Sequence, residues 1–104
     1  MATSHEAIDA RADAIRAQEI AAFEARTRSS KALYDRAETS MPFGVASSFQ
    51  AGDPYPIYLA EGHGSRVVDI DGNEYIDFHN GFGSMAVGHA HPKVTKAIID
   101  TARS

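Results

Sequence analysis

Apolar residues recur with two different periods along this chain. In the first third, Ile8, Ala12, Ile15 and Phe23 return at roughly helical spacing with Ile20 beside the stripe, while Asp9, Arg16 and Glu24 take the other face. The pattern predicts one long amphipathic helix over residues 4–27, opened by Thr3 and Glu6 at capping-box spacing. Ser29-Ser30 is expected to interrupt it. Leu33, Tyr34 and Ala37 then place a second, shorter helix, ended by Met41-Pro42 because the residue before a proline avoids helical backbone. Residues 42–56, PFGVASSFQAGDPYP, hold three prolines and two glycines and read as a loop.

From residue 57 the period shortens. Ile57–Ala60 is a candidate strand, EGHGS a turn, and Arg66–Ile70 a second strand. Asp71-Gly72 is a hairpin signal, since glycine tolerates positive φ there, and Glu74–Phe78 is the returning strand. Val68 and Ile70 share one face, Val67 and Asp69 the other, which predicts a half-buried antiparallel meander. Gly81, Gly83 and Gly88 break up the next stretch, HNGFGSMAVGHAHP. His91 then falls at an N-cap position with Pro92 at the first helical residue, and Val94, Ile98 and Ala102 repeat at steps of four. The fold expected is α+β: N-terminal helices, a small antiparallel β-meander and a C-terminal helix.

Composition narrows the function classes. The chain has 104 residues, a net charge of −4 and no cysteine. The negative charge argues against general attraction to nucleic acid or anionic membrane. The lack of cysteine removes disulfides, thiolate metal sites and a thiol nucleophile. MATSHEAIDARADAIRAQE has no apolar signal region, and no apolar run approaches the ~20 residues of a membrane span, so the cytoplasm is the expected location. Branched and aromatic side chains concentrate in residues 55–100. About 50 residues bury too little surface for an independent core, which points to a piece of a larger protein or an obligate partner. AIIDTARS carries no glycine or proline stop, and supports the same expectation.

Candidate chemistry is sparse. His89 and His91 stand two apart, with His63 and His79 near in sequence. Without cysteine or an HExxH pair, the reading favoured over a metal site is that His91 caps the last helix and His89 packs in the loop. Asp69, Asp71, Glu74 and Asp77 cluster in the hairpin, where aspartates serve local hydrogen bonding more often than acid–base catalysis. DIDGNEYIDF lacks the glycine and terminal glutamate of a calcium loop at the required offsets. GFGSMAVG is neither a dinucleotide fingerprint nor a Walker loop, and its bland alternative is an irregular connection. Ser47, Ser48 and Ser84 have no evident His–Asp partners, and none of Lys31, Lys93 and Lys96 sits in an apolar run suited to Schiff-base chemistry.

The order of the motifs adds what their chemistry does not. IYLAEGHGSRVVDIDGNEYIDF, a small-residue loop and then GHAHPKVTKAI resembles the N-terminal part of class III aminotransferases, enzymes of fold type I that use pyridoxal 5'-phosphate. The upstream MPFGVASSFQ is most similar to the glutamate-1-semialdehyde aminomutase branch of that class. The resemblance covers roughly residues 30–104 and divides the chain into a helical arm, 1–28, and an incomplete family segment, 29–104. It implies part of the small-domain lobe of a much longer homodimeric enzyme, in which an amino group passes from an amine or amino acid through the cofactor to a carbonyl compound. The cofactor and its lysine are then held mainly by residues outside this chain, and the chain alone is inactive. Residue by residue, the resemblance implies substrate contacts at Ser47, Gln50 and Phe82. Gln50 stands where aminomutases carry an arginine for the substrate carboxylate, and a neutral amide cannot make that charged bidentate bond. Phe82 stands where many relatives have tryptophan, and Phe43 replaces a glycine. The departure at Gln50 favours a transaminase over the intramolecular aminomutase reaction. A small non-catalytic binding module remains the alternative from a different class.

Overall fold

The computed structural model describes residues 4–103. They form three α-helices and one three-stranded antiparallel sheet, so the α+β expectation holds. They also divide into two compact units, one running to Ile57 and the other starting at Tyr58.

In the first unit, α1 spans Ser4–Arg26 and α2 spans Arg28–Ala37. Thr3 of the expected capping box lies outside the described residues. Alanines are spread around α1, so its stripe is thin, and Ile8 and Ile15 stay exposed. The helix breaks at Thr27, two residues before the expected Ser29-Ser30, which lies inside α2. The cause is tertiary. Thr27 leaves helical backbone at φ −127° and ψ 40°, and its hydroxyl donates to the Phe23 carbonyl at 2.7 Å. The same hydroxyl pairs with the Tyr55 hydroxyl at 2.9 Å, twenty-eight residues away in sequence. Phe23 and Tyr34 pack their rings on Tyr55 at centroid distances of 5.1 and 6.1 Å. Thr27, Ser30, Ala37 and Tyr55 are buried and make the small core of this unit. The loop of residues 42–56 contains two short 3-10 turns, Pro42–Gly44 and Ser48–Gln50.

In the second unit the sheet order is β1 (Leu59–His63), β2 (Arg66–Asp69), β3 (Glu74–Ile76). The expected turn EGHGS shrinks to Gly64-Ser65, because Glu61, Gly62 and His63 pair with Val68, Val67 and Arg66. A bulge between Leu59 and Glu61 adjusts the register. The β2–β3 connection turns through Gly72 at φ 86°, as the Asp71-Gly72 signal predicts. The buried face of the central strand is the one carrying Val67 and Asp69. Asp69 stays inside because its carboxylate is saturated. Oδ1 accepts from the backbone N–H of Asp71 and Asn73 at 3.0 and 2.8 Å. Oδ2 accepts from the Asn73 amide at 2.9 Å and the Tyr75 hydroxyl at 2.8 Å. The last helix, α3, is Pro92–Ala102, with Pro92 in its first turn as expected.

Candidate functional site

The glycine-rich stretch after β3 is the most unusual backbone in the chain. Asn80, Gly81, Phe82 and Gly83 have φ of 49°, 54°, 57° and 85°, so four successive residues form one left-handed turn. Short bonds close it: the amides of Gly83 and Met85 both donate to the Asn80 carbonyl at 3.0 Å, and the Ser84 hydroxyl donates to the Gly81 carbonyl at 2.7 Å. L-residues resist this hand by roughly 1–2 kcal/mol each, with asparagine among the more tolerant, so Phe82 bears most of the strain. Side chains held in such conformations concentrate at functional sites. Here the strained residue is an aromatic left 74% exposed, its ring edge-on to His79 at a centroid distance of 4.2 Å.

Asp77 anchors the start of the turn. Its Oδ1 accepts from the amides of His79 and Asn80 at 2.8 and 2.9 Å. Its Oδ2 lies 2.6 Å from Nε2 of His89. The His89 bond, followed by the Asn80 amide, holds the Asp77 carboxyl below the ordinary carboxylate value. The side chains of this pair are only 19% and 12% exposed, His89 first. His89 is fixed in turn by two backbone bonds with Gly64: Gly64 N–H to the His89 carbonyl at 2.9 Å, and the reverse at 2.8 Å. Its ring lies on Gly62, where an added Cβ would meet the His89 Cγ at 2.7 Å.

The loop-packing expectation for His89 therefore holds, with a carboxylate partner that sequence spacing alone did not disclose. His91 takes the N-cap position of α3, but its ring makes no capping bond and its buried Nδ1 has no partner. Capping suits the short oxygen-bearing side chains of Ser, Thr, Asp and Asn better than an imidazole. Among the described residues no three His, Asp or Glu side chains converge as metal ligands.

Ser47 and Gln50 meet in the first unit, at the two ends of the Ser48–Gln50 turn. Ser47 N–H donates to the Gln50 Oε1 at 3.2 Å, and Gln50 N–H donates to the Ser47 carbonyl at 2.9 Å. Gln50 thus folds its carbonyl back on the turn it ends. Both residues are exposed, as are Phe49 between them and the nearby Phe43, itself at φ 57°. Of the site residues expected from sequence, Ser47 and Gln50 are bonded across one turn of the first unit, and Phe82 belongs to the second.

Comparison with known proteins gives these residues a context. The family model for aminotransferase class-III matches residues 48–104. A glutamate-1-semialdehyde 2,1-aminomutase of Thermoplasma volcanium is 45% identical over 74 residues, which is 71% of this chain and 18% of that protein. Among solved structures, a glutamate-1-semialdehyde aminomutase from Pseudomonas aeruginosa PAO1 superposes with a TM-score of 0.81 at 31% identity, over 90% of this chain and 21% of that one. A transaminase with PLP bound superposes with a TM-score of 0.70 at 43% identity, over 73% of this chain and 18% of that one. The chain thus spans about a fifth of the length of the relatives it matches.

Proposed function

The chain belongs to the class III aminotransferase family, and from that premise we propose that it forms part of a pyridoxal-phosphate enzyme moving an amino group between an amine or amino acid and a carbonyl compound. The observation that carries this reading is the family match across residues 48–104, which includes the left-handed turn and its anchors. In this reading Phe82, Ser47 and Gln50 form parts of the substrate wall. An exposed aromatic on strained, glycine-flanked backbone suits an apolar wall for a small amine. Residues 1–28 serve as a helical arm, and 29–104 as a segment of the family's small-domain lobe.

The residues present do not fit the cofactor's attachment point. Lys31 and Lys96 are exposed and paired with Asp35 and Asp100, and Lys93 is exposed. The Asp35 carboxylate holds Lys31 above its ordinary value, the opposite of what an amine nucleophile needs. We therefore assign no covalent step to this chain. Its contribution is substrate orientation and exclusion of water.

A second reading, intramolecular amino transfer, is favoured by the aminomutase names of the sequence relatives. Gln50 weighs against it, because an amide offers a substrate carboxylate neither charge nor a two-pronged bond. We further place the enzyme in the cytoplasm as a homodimer. Among the described residues no helix is long and apolar enough to cross a membrane.

The test is the intact mass of the protein isolated from its own cells, with an absorption spectrum and an amine-donor assay on the same sample. A mass several times 11.2 kDa, the visible band of bound pyridoxal phosphate and amine-dependent turnover are expected. A mass equal to that of this chain, with no band, overturns the reading and leaves a binding module.

A further inference from the structure

We infer that Asp77 and His89 form a clasp that positions the left-handed turn and so aims Phe82 at the substrate, with Gly62 left bare to let the His89 ring reach Asp77. The inference rests on the reading of Phe82 as substrate wall. It adds two positioning residues that touch no substrate.

The geometry supports it at three points. Asp77 caps the two amides that enter the turn, His79 and Asn80, so loss of its carboxylate frees the turn where its hand is set. Beyond the turn, His89 cannot drift from Asp77, because its backbone is bonded in both directions to Gly64. The crossing itself admits no side chains. An added Cβ at Gly62 would meet three His89 atoms at 2.7–3.0 Å, and one at Gly88 would meet the Gly64 carbonyl oxygen at 2.8 Å. Such closeness has no use for a passive loop, which could bow outward. It does fix a turn that presents an aromatic against its own backbone preference.

The test is a double-mutant cycle in the holoenzyme that carries this chain, comparing Asp77→Ala, Phe82→Ala and the double variant. Phe82→Ala is expected to raise the KM of the amino donor on the order of tenfold with kcat nearly unchanged, as loss of uniform binding does. Asp77→Ala is expected to raise KM similarly, with unchanged cofactor absorbance, and to add nothing in the Phe82→Ala background. Should Asp77→Ala fail to accumulate, His89→Ala takes its place in the cycle with the same expectation. Equal losses from Asp77→Ala in both backgrounds overturn the clasp while the wall reading stands. Unchanged kinetics in Phe82→Ala overturn the wall reading and the clasp with it.

Discussion

Asp69 is the side chain whose removal the structure prices most directly in free energy. It is 2% exposed and accepts from the amides of Asp71 and Asn73, from the Asn73 side chain and from the Tyr75 hydroxyl. A hydrogen bond to a charged group contributes roughly 1.5–3 kcal/mol. In Asp69→Ala the two hairpin amides lose their acceptor, so their hydrogen exchange should speed up by roughly ten- to a hundred-and-fifty-fold. The amides of Val67 and Tyr75, opposite each other in the β2–β3 ladder, should change far less. Asp69→Asn keeps one acceptor oxygen and should fall between. Burial pushes the Asp69 carboxyl up, but the bonds from Asn73, Tyr75 and Asp71 together outweigh it and hold it below the ordinary value. In the unfolded chain the group titrates near ~3.9. The stability it contributes is therefore complete above that pH and is lost as pH falls through the depressed folded value. Amide-resolved exchange reads both effects. Unchanged exchange of Asp71 and Asn73 in Asp69→Ala, or protection lost already near neutral pH, would refute the reasoning.

Three further expectations follow from other parts of the chain. Thr27→Val keeps shape but leaves the Tyr55 hydroxyl without its buried partner, and should cost about 1–3 kcal/mol in urea unfolding while Thr27→Ser costs little; equal midpoints for the two variants would count against the helix-break account. Gly83 has open space beside it and Gly88 faces a carbonyl oxygen at 2.8 Å. Gly83→Ala should therefore cost only backbone strain of roughly 1 kcal/mol, and Gly88→Ala distinctly more, as read from thermal midpoints. In the whole enzyme, Gln50→Arg should raise turnover of donors bearing a carboxylate relative to simple amines, and an unchanged ratio would remove Gln50 from the substrate wall.

Much of the secondary structure was legible because local rules set it. Helical spacing located α1, α2 and α3, Asp71-Gly72 located a hairpin, and Pro92 marked a helix start, each from residues within a few positions of one another. The family motif was legible for the same reason, as an ordered string. The tertiary structure decided what depends on distant partners. Thr27 ends α1 because Tyr55 waits twenty-eight residues on, a contact no local window contains. Val67 and Asp69 face inward although Val68 and Ile70 make the more apolar face, because Asn73 and Tyr75 satisfy the buried carboxylate. Asp77 and His89 looked like a hairpin carboxylate and a loop histidine, and became a pair only when the Gly64–His89 bridge folded the loop back onto β1. The glycines signalled an irregular connection, but not a left-handed turn in which Asn80 and Phe82 share their backbone sign. Local preference opposes that arrangement, and only bonds made on both sides of the turn can hold it.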